Sequence, residues 1–301
     1  MREMDQQLRV FVTVADRQNF SRAAEELHMT QPAVSQYILS LERMIGTKLL
    51  ERSNKYVRLN KAGEIVYHHA REILGLHTRM QSLVDDLMNT PSGRLTIGAS
   101  YTYGEYVLPH VVARMREYYP AITPTITIHN STVIAEQVAN RQLDVGIVEG
   151  EYVDEKMCIE PFADDRMYLI VSPHHHLAGK EKVNLSDLEA QTWIVREEGS
   201  GTREAAEKMF RQLQIAPDRM MEFGSTQVIK ESVEAGLGIS LLSYWAIRKE
   251  RKLGTLVTLK LAGTPVTRNF SLLTKTNEFH TKALDIFMDL IRNHLPEGAY
   301  T

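Results

Sequence analysis

The sequence predicts a mixed α/β chain with a small helical head, one long single helix and a larger α/β body. Three observations carry that prediction. Short amphipathic helices followed by a hairpin pattern crowd the first 60 residues, one apolar stripe runs unbroken through the next 29, and strand and helix patterns alternate from Arg94 onward. At 301 residues the length suits about two domains, and 43% hydrophobic content is enough to build proper cores.

The head begins with a helix whose apolar side is Leu8, Phe11, Val12 and Ala15, and a second short helix, SRAAEELHM, ends just before Thr30. In TQPAVSQYILSLE, Thr30 is placed as an N-cap, and Pro32 sits in the first turn, where no intrahelical N–H is required. Val34, Ile38, Leu41 and Ile45 form a narrow apolar stripe. Opposite it fall Pro32, Gln36, Leu39, Ser40 and Arg43, with Ser35 at the margin. A purely solubilising face would carry more Lys and Glu. Short amides, hydroxyls and an aliphatic tip instead suit base edges, because Gln pairs with adenine and an alkyl group can touch a thymine methyl. A polar surface helix is the alternative for this segment alone.

The flanks favour DNA. Two short helices joined by a tight turn spell helix-turn-helix, and Lys48 to Glu51 and Tyr56 to Leu59 read as a β-hairpin around Ser53-Asn54-Lys55. Arg43, Lys48, Arg52, Lys55, Arg58 and Lys61 face the single acid Glu51 in this stretch, although the whole chain carries −3. A local basic patch of this kind is what a phosphate-binding surface needs.

From Asn19 to Glu64 the sequence resembles the N-terminal winged helix-turn-helix of LysR-type transcriptional regulators. The shared residues are Ala23-Ala24, Leu27, Gln31-Pro32-Ala33, Ser35, Leu41-Glu42, Gly46, Leu49, Glu51-Arg52, Leu59 and Ala62-Gly63. The resemblance implies that Gln31, Pro32, Ser35 and Gln36 lie at the major groove and that Arg52 contacts the DNA backbone near the wing. Tyr37, Ser40 and Leu50 depart from the family's usual Gln or His, Arg and Phe, which puts the family's preferred half-site in question. The candidate DNA contacts are Gln31, Pro32, Ser35, Gln36, Ser40, Arg52, Lys55 and Arg58.

Lys61 to Asn89 carries Val66, Ala70, Ile73, His77, Met80, Val84 and Leu87 in alternating steps of four and three, the seam of a coiled coil. A helix of this length, about 40 Å, cannot bury such a stripe alone. Thr90-Pro91-Ser92-Gly93 then reads as a hinge, so the stripe is assigned to a dimer rather than to the following domain. The resemblance implies the same, since the family dimerises through a linker helix.

The body starts with LTIGA, VLPHVVARMREYYP, TPTITIH, a helix from Ser131 to Arg141 and LDVGIV, successive β-α units that predict a parallel sheet covered by helices. MYLIVS, TWIV, a helix from Gly201 to Leu213, MMEFG, a helix from Thr226 to Ala235 and GISLLS form a second set. NFSLLTK and a closing helix with Leu284, Phe287, Met288, Ile291 and Leu295 complete two α/β subdomains joined by crossing strands. Leu108-Pro109, Tyr119-Pro120, Leu143-Asp144 and Gly236-Leu237-Gly238 extend the resemblance over essentially the whole chain, and imply a periplasmic-binding-protein-like effector domain. The expected boundaries are 1–60 for the winged head, 61–90 for the linker, 91–164 with 268–301 for subdomain I, and 165–267 for subdomain II.

In open parallel sheets ligands sit beyond the carboxyl ends of strands, where helices begin. Ser100-Tyr101-Thr102, Asn130-Ser131-Thr132 and the run Arg196 to Arg203 occupy such places. The last combines glycines, the Ser200 and Thr202 hydroxyls, and two arginines at a helix start, as an anion site requires. The alternative is an ordinary capped helix whose Arg203 pairs with Glu207. The REEGSGTR stretch resembles the family branch that regulates carbon-dioxide fixation and sulfite reduction, which implies a small anion, a sulfur oxyanion or a phosphorylated metabolite. Candidate effector contacts are Ser100, Thr102, Ser131, Arg196, Ser200, Thr202 and Arg203.

Consecutive His174-His175-His176 fall on a loop with nothing placed to complete a metal site, Cys158 packs in a strand, and no nucleophile motif is present. No cofactor, metal or catalysis is expected. The N-terminus lacks a secretory pattern and no stretch approaches the ~18 apolar residues of a membrane span, so a reducing cytoplasmic setting is expected. The reading is a regulator with double-stranded DNA, a small anionic effector, further copies of itself (dimer or tetramer) and RNA polymerase as partners, and no membrane. A small-molecule binding protein without a DNA role is the alternative, and an enzyme on the same scaffold a weaker one.

Overall fold

The computed structural model describes residues 2–52, 56–88, 91–181, 183–261, 264–276 and 279–293. The chain divides into two compact units, Met1–Asp85 and Asp86–Thr301.

In the first unit α1 (Arg2–Arg17), α2 (Phe20–Glu26) and α3 (Gln31–Ile45) pack around one core, followed by β1 (Leu50–Arg52), β2 (Val57–Leu59) and α4 (Lys61–Met88). Asn19 caps α2, its side chain accepting from the N–H groups of Ser21 and Arg22. The core holds Leu8, Val10, Phe11 and Val14 of α1, Ala23 and Ala24 of α2, and Val34, Ile38 and Leu41 of α3. Ile45, expected to continue that stripe, is exposed. Gly46 ends α3 in the left-handed region at φ 85°, and the buried Glu42 carboxylate accepts the Leu49 N–H at 2.9 Å. Past this turn Leu49 is buried in the same core.

The strands β1 and β2 pair antiparallel with Leu50 opposite Leu59 and Glu51 opposite Arg58. Lys55 lies outside the described residues, as does the Arg52 side chain. In α4 Gly63 and Ala70 are buried, with Val66, Tyr67 and Leu74 packed partly against the same core. Beyond it Ile73, Leu76, Met80 and Val84 are exposed, and His77 Nε2 lies 3.6 Å from the Asp5 carboxylate of α1.

The second unit runs β3 (Gly93–Ala99), α5 (Tyr101–Tyr106), α6 (Leu108–Tyr118), β4 (Ile122–Ile128), α7 (Ser131–Ala139), β5 (Val145–Glu149) and β6 (Met157–Val171). It continues with α8 (Leu185–Glu189), β7 (Thr192–Arg196), α9 (Gly201–Leu213), β8 (Arg219–Phe223), α10 (Thr226–Glu234), β9 (Ser240–Ser243), α11 (Tyr244–Leu253), β10 (Val257–Thr258), β11 (Val266–Lys275) and α12 (Lys282–Asn293). The main sheet has the order β10-β6-β11-β5-β3-β4, with β9 also on β6, and β7 pairs with β8.

The first β-α units are parallel as expected, β4 and β5 flanking β3. The sheet is nevertheless mixed, because β6 and β11 run antiparallel to their neighbours. MYLIVS is only the end of β6, a 15-residue strand that pairs with β11 from Met157 to Met167 and with β9 from Met167 to Ile170. Charged and apolar residues are mixed along the stretch paired with β11, so no clean period-2 pattern marks it. One core lies between β3, β5, α6 and α12, with Leu95, Ile97, Met115, Leu284, Phe287 and Ile291. Another gathers Met167, Leu169, Trp193, Met209 and Leu241. Cys158 sits in β6 but on its exposed side.

Candidate functional site

Gln31, Pro32, Gln36, Leu39 and Arg43 of α3 are all exposed, because the stripe from Val34 to Leu41 is turned into the core. Thr30 occupies the N-cap position in extended backbone, but its side chain makes no capping hydrogen bond. Gln31 Nε2 donates to Ser35 Oγ at 3.1 Å, one turn on. Ser40 faces α1 instead, where its hydroxyl accepts from Gln7 Nε2 at 3.0 Å. Arg58 is exposed on β2 with its guanidinium 5.1 Å from the Tyr56 ring centroid.

In the second unit the starts of α5, α7 and α9 meet around Glu149, at the carboxyl end of β5. Glu149 Oε1 accepts the Thr102 N–H at 2.8 Å and the Tyr103 N–H at 3.3 Å, capping the first turn of α5. Its backbone carbonyl accepts from the Ser131 hydroxyl at 3.2 Å. A side chain at Gly201 would place its Cβ 2.1 Å from that same carbonyl oxygen, so only glycine lets α9 come this close. Asn130 and Ser200 cap α7 and α9, accepting from the N–H groups of Val133 and Arg203.

Beneath these helix starts lies a buried ionic group that the sequence reading did not identify. Arg268 of β11 stands opposite Asp165 of β6 in the strand register. Its guanidinium lies 2.8 Å from Glu149 Oε2 and 2.8 Å from Asp165 Oδ2, and donates to Thr202 Oγ1 at 3.0 Å and Thr102 Oγ1 at 3.1 Å. The Ser243 hydroxyl donates to Asp165 Oδ1 at 2.6 Å. All three ionic side chains are buried. Burial pushes the Asp165 carboxyl up to about 6, although Arg268 and Ser243 act to lower it. Two carboxylates on one guanidinium leave this group one negative charge when all three are ionised. The only hint in the sequence is that the apolar run LDVGIV ends on an acid and that an arginine interrupts the strand before NFSLLTK.

The structure brings Ser100, Thr102, Ser131, Ser200 and Thr202 to this cleft as buried hydroxyls. The Ser100 Oγ has no hydrogen-bond partner. The two arginines are used differently from the anion reading. Arg203 Nε donates to Glu207 Oε1 at 2.6 Å and its Nη1 to Glu222 Oε2 at 3.1 Å, so the capped-helix alternative describes its contacts. Arg196 donates to both oxygens of Glu197 at 2.7 Å and to Thr226 Oγ1 at 3.1 Å, and stacks 4.3 Å from the Tyr101 ring centroid. Both guanidinium charges are therefore balanced by nearby carboxylates. A pocket of about 330 Å³ beside the start of α9 is lined by Ser131, Ser200 and Arg203 but also by Glu149, Glu151, Glu198, Glu204 and Glu207. Burial, with Glu151 next in effect, holds the Glu204 carboxyl above its ordinary value.

Across the cleft the Thr132 N–H donates to the Gly199 carbonyl at 3.2 Å and Asn130 Nδ2 to Glu197 Oε1 at 3.4 Å. Residues 6–64 match the bacterial regulatory helix-turn-helix proteins of the lysR family, and residues 88–296 match the LysR substrate-binding domain. The chain belongs to the LysR family. This LysR-family protein is 33% identical to the HTH-type transcriptional regulator CysL of Bacillus subtilis over 95% of its own length and 96% of the relative's. It is 32% identical to a probable RuBisCO transcriptional regulator of Cyanophora paradoxa, over 95% and 90% of the two chains. The regulatory domain of CcmR from Synechocystis PCC6803, solved in complex with 2-PG, superposes with a TM-score of 0.62 at 27% identity, covering 67% of this chain and 97% of that one. The LysR protein is thus a DNA-binding transcriptional regulator with an effector-binding domain. Among the described residues no helix is long and apolar enough to cross a membrane.

Proposed function

We propose that this LysR protein is a cytoplasmic regulator whose hold on promoter DNA is set by a small anion bound between two subdomains, residues 91–164 with 268–301 and residues 165–267. The observation that carries the effector reading is the convergence of hydroxyls and helix-start N–H groups around Glu149 and Arg268, with the buried Ser100 hydroxyl left unpartnered. Among the described residues Ser100 Oγ is one of a few buried polar atoms without a partner, and the one among them that lies at these helix starts beside other hydroxyls, where an acceptor-rich ligand could use it. The 2-PG complex of the CcmR domain supports an anion. In this reading Ser100, Thr102, Ser131, Ser200 and Thr202 hold the anion, while Arg196 and Arg203 shape the subdomain II wall.

Gln31, Pro32, Ser35 and Gln36 read bases, and Arg52, Lys55 and Arg58 hold phosphates, with Ser40 at the edge of that surface. The linker, residues 61–90, joins copies into a dimer or tetramer, and RNA polymerase is the partner through which transcription responds. Catalysis has no part in this function.

The test is titration of the full chain with 2-PG, sulfite and inorganic phosphate, following melting temperature and affinity for promoter DNA. At least one anion should stabilise the chain, and Ser100→Ala and Ser131→Ala should each weaken it about tenfold, as the loss of a hydrogen bond to a charged group does. Affinity for DNA without the anion should stay unchanged. Equal anion binding by the variants and the parent chain would place the effector elsewhere.

A further inference from the structure

We propose that His68, His69 and Glu72 of α4 form a binding site for a divalent first-row transition-metal ion. In KAGEIVYHHAREIL the two histidines stand four and three residues before the glutamate, so both reach the same side of one helical turn. The structure aims both at a single atom: His69 Nδ1 lies 3.1 Å and His68 Nε2 3.9 Å from Glu72 Oε2. All three ligand atoms lie within 4.8 Å of one another. Ligands about 2.0–2.2 Å from a metal sit roughly 3–3.5 Å apart, so small side-chain rotations would bring them to a common centre. His68 and His69 are 46% and 63% exposed, which leaves those rotations unhindered and opens the site to an ion from solvent.

The donor set decides the class of ion. Two imidazoles and one carboxylate suit zinc, nickel, copper or cobalt, whereas magnesium and calcium prefer all-oxygen sites. Three protein ligands leave the remaining positions to water. The bland account is two exposed histidines each in contact with one glutamate oxygen. A cation at the centre satisfies all three donors together. Among the described residues this is the one group with such an arrangement; the His174–His176 run, the more conspicuous pattern in the sequence, has no carboxylate placed to complete it.

Full-length protein without a histidine tag, stripped with EDTA and dialysed, is titrated with Co²⁺ and followed by its visible d–d absorption, then with Zn²⁺ by calorimetry. One ion per chain should bind. The double variant His68→Gln/His69→Gln and, separately, Glu72→Gln should each weaken binding about tenfold or more. A triple His174→Gln/His175→Gln/His176→Gln control should bind as the parent does. Affinity should fall on acidification, as protons compete for the imidazoles. Circular dichroism would establish that these exposed substitutions leave the helices intact. No binding by the parent chain, binding that survives both α4 variants, or binding lost in the triple control would each overturn the site; none of these outcomes bears on the regulator reading.

Discussion

Arg268 shows how much one residue can hold. It joins Glu149 and Asp165 and donates to one hydroxyl at the start of α5 and another at the start of α9. Arg268→Met would leave two buried carboxylates without their counter-charge, and urea unfolding should show a loss of about 3–5 kcal/mol. Asp165 gives a pH signature. Its folded value of about 6 lies above the ~3.9 of an unfolded aspartate, so the native chain holds an extra proton between those values. The resulting stability is complete below about pH 4 and is lost as pH rises through 6. Unfolding free energy measured for the parent chain minus that for Asp165→Asn should therefore fall by up to about 3 kcal/mol between pH 4 and 6.5 and stay flat above. A difference that does not change with pH would mean that Asp165 remains ionised throughout. The pairing was not legible in the sequence, because Arg268 meets Asp165 across 103 residues and Thr102 across 166.

At the scale of elements, α3 and α4 are the legible parts. Periodicity alone named Val34, Ile38 and Leu41 of α3 as buried, while Ile45 proved exposed, and it read α4 as a seam between copies, whereas Ala70 packs into the core of its own unit. The stripe of α4 then changes role along its length: Val66 and Ala70 enter the core of their own unit, while Ile73 and Met80 are 42% and 54% exposed. Charges placed there should leave the fold intact and act only on assembly. Ile73→Asp or Met80→Asp should turn dimers into monomers in light scattering, since a carboxylate buried between two helices costs several kcal/mol. Intact dimers would remove this stretch from the interface. On α3, Gln36→Ala should cost ~1–3 kcal/mol on a specific promoter site and little on random DNA, measured by fluorescence anisotropy at matched salt. Equal losses on both would exclude base reading by Gln36.

For the effector-binding unit as a whole, the long strands β6 and β11 matter most, because both run the length of the central sheet and meet at the Asp165–Arg268 pair. The starts of α5 and α9 face one another above that pair. Gly201 sets how closely they approach. Gly201→Ala would drive a methyl into the Glu149 carbonyl, and should force the walls apart, lower the melting temperature by several degrees and, on the effector reading proposed above, abolish the response to the anion that stabilises the parent chain. An unchanged response would mean that the walls need not meet for the anion to act.

Local pattern determined a good deal here without any coordinates. Helical period, turn residues and a basic cluster of six residues against one acid pointed to the head, the long helix and the alternating body. They also placed five hydroxyl-bearing residues at the starts of α5, α7 and α9. What only the tertiary structure decided is which charges remain open. Arg196 and Arg203 looked available for an anion, yet Glu197, Glu207 and Glu222 take them up. Glu149 and Arg268 left only a faint mark in the sequence and Asp165 none, yet the three form the buried floor of the cleft. Periodicity reports which side of an element faces inward, over distances of a turn or two. The pairing of charges is settled only when strands and helix starts far apart in the chain are packed side by side, because a buried charge has to find its counter-charge wherever the fold brings one.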